Sequence, residues 1–229
     1  SSTRVAAAND NWNSADAATF TSVGAFALAN GSRDAAIVTT LAPGAYTAQV
    51  NGPGTTTGNA IVEVYEADTT GGKFMNLSTR ARVTGTSVPL TPGFVVSPGS
   101  GTRKFLIRAA GPALGVLGLT GFLPNPTMTL RRTGGTATVV ATNDDWGTQA
   151  GSMTADLLRQ TFLANGAFDF PTGSRDAAMI VDLAAGNYTV EVTGADNSAG
   201  IAIVEVYDLT PSAVPAVSVT ASKAIADES

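Results

Sequence analysis

Cysteine and histidine are both missing from the 229 residues. Without cysteine there is no disulfide framework and no thiolate chemistry. Without histidine the commonest metal ligand and the usual neutral-pH general base are gone, and with them the Ser-His-Asp and Cys-His machineries. Charge is scarce as well. Charged residues make up 14% of the chain, against about a quarter in ordinary domains. The net charge of -5 and pI near 4.6 give an acidic surface that repels phosphate backbones, which argues against a nucleic-acid partner. The adjacent basic pairs, Arg103-Lys104 and Arg131-Arg132, read as solvated strand edges rather than a basic stripe. Long apolar runs are also lacking. The most apolar stretch, Phe105 to Leu123, contains Arg108, Pro112 and four glycines, so no membrane insertion is expected. Nothing resembles a secretory leader, and the opening at Ser1-Ser2-Thr3-Arg4-Val5 reads as the middle of a strand in a processed or trimmed product.

What the chain does contain is apolar residues at 44%, with many glycines, threonines and valines. That balance supports a packed core of short strands and tight turns, and it opposes disorder.

The sequence repeats itself. Gly31-Ser32-Arg33-Asp34-Ala35-Ala36 recurs as Gly173-Ser174-Arg175-Asp176-Ala177-Ala178, and the offset of 142 continues without a gap. Leu41-Ala42-Pro43-Gly44-Ala45-Tyr46-Thr47 matches Leu183 to Thr189, and Ile61-Val62-Glu63-Val64-Tyr65 matches Ile203 to Tyr207. From Gly31 to Glu66, 20 of 36 positions are identical. Asn9-Asp10-Asn11-Trp12 matches Asn143-Asp144-Asp145-Trp146 at offset 134, so the second copy carries eight extra residues after its tryptophan.

Within each copy the pattern is β. Tyr46, Ala48 and Val50 alternate onto one face, as do Ala60, Val62 and Val64, with Pro/Gly turn chemistry between the runs. Ala36 to Leu41 reads as a further short strand. Before Thr138 the second copy has additional strands, at Asn76 to Val83, Gly93 to Val96, Lys104 to Ala109 and Thr127 to Arg131. The first copy has no equivalent. The expected fold is therefore all-β: two β-sandwich modules of jelly-roll or Ig-like type, the first lacking its N-terminal strands, plus a C-terminal donor-like strand. The boundaries are 1–70 for the incomplete module, 71–210 for the complete one, and 211–229 for a linker and the last strand. That last strand, Val217 to Ile225, loosely echoes Leu77 to Val83.

An orphan strand at one end and missing strands at the other suggest donor-strand pairing between neighbouring chains. Such pairing would be head to tail, and a head-to-tail contact that does not close builds a filament. Val217, Val219, Ala221, Lys223 and Ile225 would form the donor side of the subunit interface, with Val5 on the receiving module. The same strand folding back onto its own first module is the competing arrangement.

The motifs at Asn143 to Trp146, Gly173 to Ala178, Pro43 to Thr47 and Val62 to Tyr65, with Asn76 to Ala81 and Leu106 to Pro112, resemble the tandem repeats of large secreted and surface proteins of environmental Gram-negative bacteria. Those repeats are similar to bacterial pre-peptidase C-terminal domains, which are β-sandwiches. The resemblance covers nearly all of the chain except the tail and implies an extracellular or cell-surface, non-catalytic module.

The leading expectation is a structural subunit of an extracellular fibre, with identical subunits as partners and no cofactor. The alternative is a carbohydrate- or cell-surface-binding module of a larger adhesin or secreted enzyme. Asn9, Asp10, Asn11, Asn143, Asp144 and Asp145 form oxygen-rich turns that are candidate calcium ligands. The competing reading is that they cap their own turns. The repeated Arg33 and Arg175, with the repeated Glu63 and Glu205, suggest an internal ion pair, since a buried charge needs a partner. Trp12 and Trp146 are either sugar-stacking platforms or packing residues. Asn30, Asn76 and Asn187 fit the N-glycosylation pattern, and Thr55, Thr56 and Thr57 lie in a loop that could carry O-linked sugar.

Overall fold

The computed structural model describes residues 4–68, 72–99, 101–149 and 153–210, and the backbone of 217–222. In chain order the strands are β1 (Ala45–Gln49), β2 (Phe74–Thr84), β3 (Gly93–Val96), β4 (Arg103–Ala110), β5 (Pro126–Thr133), β6 (Thr138–Asn143), β7 (Ala177–Leu183), β8 (Gly186–Gly194), β9 (Ala199–Asp208) and β10 (Val217–Ser222). Three helices join them: α1 (Ala17–Val23), α2 (Pro112–Val116) and α3 (Ala155–Ala164).

The strands form two sheets, a six-stranded one ordered β1-β10-β2-β9-β4-β7 and a four-stranded one ordered β3-β8-β5-β6. The all-β sandwich reading holds. Strand alternation explains how the sheets stack. On β4, Phe105, Ile107 and Ala109 point to one face and meet Met128, Leu130, Val190 and Val192 of the small sheet in the main core. Leu106 and Ala110 point to the opposite face, where they pack against α2, α3 and Trp146 in a second core. β4, β7 and β9 are thus covered on both faces, and β4 is buried along nearly its whole length.

The helices were not anticipated. α3 starts at Thr154, whose hydroxyl accepts a hydrogen bond from Leu157 N at 3.2 Å, and Leu158 and Phe162, one turn apart, turn inward. Once α1 is set beside α3, the repeat extends further upstream than Gly31. Thr19-Phe20 and Gly24-Ala25-Phe26 match Thr161-Phe162 and Gly166-Ala167-Phe168 at the same offset of 142. Each helix gives way to a glycine in the left-handed region, Gly24 at φ 74° and Gly166 at φ 70°.

The first copy differs from the expectation in one respect. Residues 36–41 and 60–65 were read as strands, yet of the first copy's described residues only β1 lies in a ladder. The cause is pairing. In the second copy, β7 pairs with β4, β8 with β3 and β5, and β9 with β2 and β4. Those partners lie between 74 and 133, and residues 1–68 hold no counterpart of that stretch. A strand whose backbone groups find no partner has no reason to form. No residue from 4 to 68 is buried.

β10 runs parallel to β1 on one side, Tyr46 opposite Val219, and parallel to β2 on the other, Leu77 opposite Val219. It covers the edge that β2 would otherwise leave open and joins β1 to the large sheet.

Candidate functional site

The chain carries the same local motif twice, once with its partner strands and once without. The shared part is a clasp. Asn143 Oδ1 accepts a hydrogen bond from Ala178 N at 2.9 Å while its Nδ2 donates to Asp145 O at 3.2 Å. Asn9 does the same with Ala36 N at 3.1 Å and Asn11 O at 3.0 Å. Trp146 N donates to Asp176 O at 2.7 Å, and Trp12 N to Asp34 O at 2.8 Å. Each indole Nε1 donates to a serine hydroxyl at 3.2 Å, Ser174 or Ser32, and that hydroxyl donates to the following aspartate at 2.6 Å. Tyr188 and Tyr46 donate back to Ala184 O and Ala42 O, at 2.9 and 2.8 Å. The clasp is made of contacts within the copy, so it forms in both.

Among the described residues, a strand fills the clasp in the second copy alone. Asp176 is fully buried, and its carboxylate accepts hydrogen bonds from Gly111 N at 2.7 Å and Ala113 N at 3.1 Å, holding the turn from β4 into α2. Just upstream, Arg108 is fully buried in the middle of the sheet. Its guanidinium lies over the rings of Phe162, Phe168 and Phe170, at 4.4, 4.4 and 4.0 Å from their centroids. Nη1 donates to Phe168 O at 2.7 Å, and Nε lies 3.1 Å from Glu205 Oε2. Tyr207 donates to the other Glu205 oxygen at 2.9 Å. Burial lowers the Arg108 pKa, against the opposing pull of Glu205. Burial raises that of Glu205, against the pull of Arg108.

This corrects the expected ion pair. Glu205 is paired with Arg108, its direct neighbour across the β4–β9 ladder, and Arg175 is exposed. Asp176 turns inward at the start of β7, so the residue beside it turns out. The signal missed in the sequence was a single arginine inside the apolar strand Phe105 to Ala110, which cannot stay charged there without a carboxylate.

The first copy keeps counterparts of the receiving residues, and no strand pairs with 35–41 or 57–66 among the described residues. Phe20, Phe26 and Leu28 stand where Phe162, Phe168 and Phe170 do, and Glu63, Tyr65 and Asp34 stand for Glu205, Tyr207 and Asp176. Phe26 is 55% exposed and Ile61 80%. Tyr65 has its pKa raised, first by partial burial and then by the Glu63 carboxylate beside it.

The other candidate residues fall as follows. Asn9 and Asn143 spend their side chains on backbone groups of the turn, and Asp144 has its pKa raised by burial and by Asp145 next to it. Among the described residues no three Asp or Glu side chains gather as a metal site. Trp146 is buried against Phe162 and Phe170, with Arg159 over its ring, and Trp12 is half-buried against Phe20. Asn30, Asn187 and Thr55 to Thr57 are exposed, whereas Asn76 lies half-buried in β2. Val5 is 75% exposed. Val217, Val219 and Ala221 lie in β10, and Lys223 and Ile225 fall outside the described residues.

No helix among the described residues is long and apolar enough to cross a membrane. No family model matches the sequence, and no curated protein matches it either. Among solved structures the chain is similar to the pre-peptidase C-terminal domain of a collagenase from Bacillus anthracis. The match is at 11% identity over 73% of this chain and 99% of that one, with a TM-score of 0.34. At that level the fold assignment rests on this chain's own two sheets.

Proposed function

We propose that this chain is a structural subunit of an extracellular bacterial fibre or surface assembly, non-catalytic, and joined head to tail by β-strand complementation. The observation that supports this reading is the ladder between β1 and β10. β10 is able to pair with β1 of the N-terminal unit, in register from Ala45 with Ser218 to Gln49 with Ser222. A segment that fits this edge in its own chain fits the same edge of a neighbour, and exchange of an identical element between subunits has a low energetic cost. In this reading each subunit donates its strand to the next one, and a head-to-tail contact that does not close builds a filament. β1 also keeps its second edge unpaired among the described residues, and an unpaired edge is a template for strand addition.

The test is negative-stain electron microscopy of the purified chain beside a version ending at Pro215. Filaments from the full chain that vanish on removal of the tail are the expected result. Monodisperse particles from both versions would overturn the filament reading.

A further inference from the structure

The second copy shows what its receiving groups are for, and the first copy carries their counterparts with no strand on them among the described residues. In the second copy, β4 lies antiparallel between β7 and β9. It delivers Arg108 into a pocket of three phenylalanines closed by Glu205, and three residues later it delivers the backbone N–H of Gly111 to Asp176. In the first copy Asp34 is still held by Ser32, with its carboxylate exposed. Glu63 is still beside Tyr65. The segments matching β7 and β9, 35–41 and 57–66, still expose apolar side chains, with Ile37 at 51%, Val38 at 50% and Ile61 at 80%. The site is also acidic: between residues 4 and 68 there are two arginines against six carboxylates.

We infer that the first unit is a docking site for a β-strand, lying outside the described residues, that carries an arginine followed by Ala-Ala-Gly-Pro, the chemistry of Arg108 to Pro112. The strand inserts between 35–41 and 57–66 and brings both into a ladder. Its arginine meets Glu63 over Phe20 and Phe26, and the turn that follows places backbone N–H groups on Asp34. Charge complementarity and the filled example in the same molecule select this occupant. The tail strand is not it, because Val217–Ser222 contains no basic residue and pairs with β1 instead. This chain's own β4 is buried in the second unit and is not free to serve. The site is therefore independent of the role proposed for the tail.

The probe is a labelled peptide of residues 103–113, titrated into the full chain and followed by fluorescence anisotropy. Saturable binding is expected, weakened roughly tenfold or more when the peptide carries Arg108→Met or the chain carries Glu63→Gln, the scale of a lost charged hydrogen bond. Asp68→Asn, which removes a charge of the same unit outside segments 35–41 and 57–66, leaves binding unchanged. No saturable binding, or equal binding by the two peptides or by the Glu63→Gln chain, overturns the proposal. If the peptide self-associates, the chain extended at its N-terminus by a second copy of residues 72–137 decides. Amides in 57–66 then become protected against hydrogen exchange, and unchanged exchange there overturns the inference.

Discussion

Arg108 and Glu205 face each other across the β4–β9 ladder, Nε to Oε2 at 3.1 Å, with the arginine wholly out of solvent. Burial works against both charges, and each is kept by the other. Removing one partner strands the second. Glu205→Ala is expected to destabilise the chain by about 3–5 kcal/mol, whereas the double change Arg108→Met with Glu205→Leu costs markedly less. Denaturant unfolding followed by the fluorescence of buried Trp146 measures both. A single variant within about 0.5 kcal/mol of the parent, the range of an ordinary surface change, would contradict this account.

Asp176 and Asp34 form an internally controlled pair. Asp176→Ala leaves Gly111 N and Ala113 N buried without an acceptor, at an expected cost of about 1–3 kcal/mol per unsatisfied group. Asp34 is exposed and accepts from Ser32, so Asp34→Ala is expected to stay within about 0.5 kcal/mol of the parent. Thermal unfolding of the two variants side by side checks the contrast, and equal losses would show that the clasp alone accounts for the stability.

Gly200 and Gly58 occupy the same place in the two copies. A methyl group at Gly200 would sit 2.5 Å from the backbone of Phe122 and Leu123, while at Gly58 it would meet nothing within 4 Å. Gly200→Ala forces β9 away from the α2–β5 connection and is expected to cost about 1–3 kcal/mol, as overpacking does. Gly58→Ala is expected to be neutral or slightly stabilising, since it reduces the freedom of the unfolded chain. Parallel melting curves give the answer.

Asp208 makes the stability sensitive to acid. Burial works to raise its pKa, but hydrogen bonds from Thr210 and Lys73 and the charge of Arg103 outweigh it and hold the carboxyl below its ordinary value. A group whose pKa is depressed on folding binds protons more readily when unfolded. Its contribution is complete above the unfolded value, about 3.9, and is lost as pH falls through the lower folded value. Asp208→Asn is expected to flatten the stability curve in that acid window. A variant whose acid limb runs parallel to that of the parent would exclude this origin.

Alternation and turn chemistry placed β2 to β5 to within a residue or two of their ends, and the repeat of Gly-Ser-Arg-Asp-Ala-Ala marked the two copies. α3 was legible in principle from Thr154, Asp156 and the Leu158–Phe162 spacing, but the reading stopped at its strands. The receiving site was half visible. Glu63 and Glu205 stand out as charges inside apolar runs, while the partner of Glu205, Arg108, lies in the strand Lys104 to Ala109, where nothing in the repeat singles it out. Arg175 was the plausible partner because it recurs with the glutamate, yet recurrence in sequence does not bring two side chains together.

The sequence alone determined the local structures: the Asn-Trp-Ser-Asp clasp and the tyrosine bond back to Ala184 or Ala42 form in both copies because every group in them lies within the copy. Whether a run such as 36–41 becomes a strand was decided by tertiary structure, since a ladder needs a second backbone and the matching run at 178–183 has one in β4. The same holds for charge. Glu205 and Glu63 sit in the same five-residue motif, and only the neighbour supplied by the fold makes one a buried ion pair while leaving the other exposed.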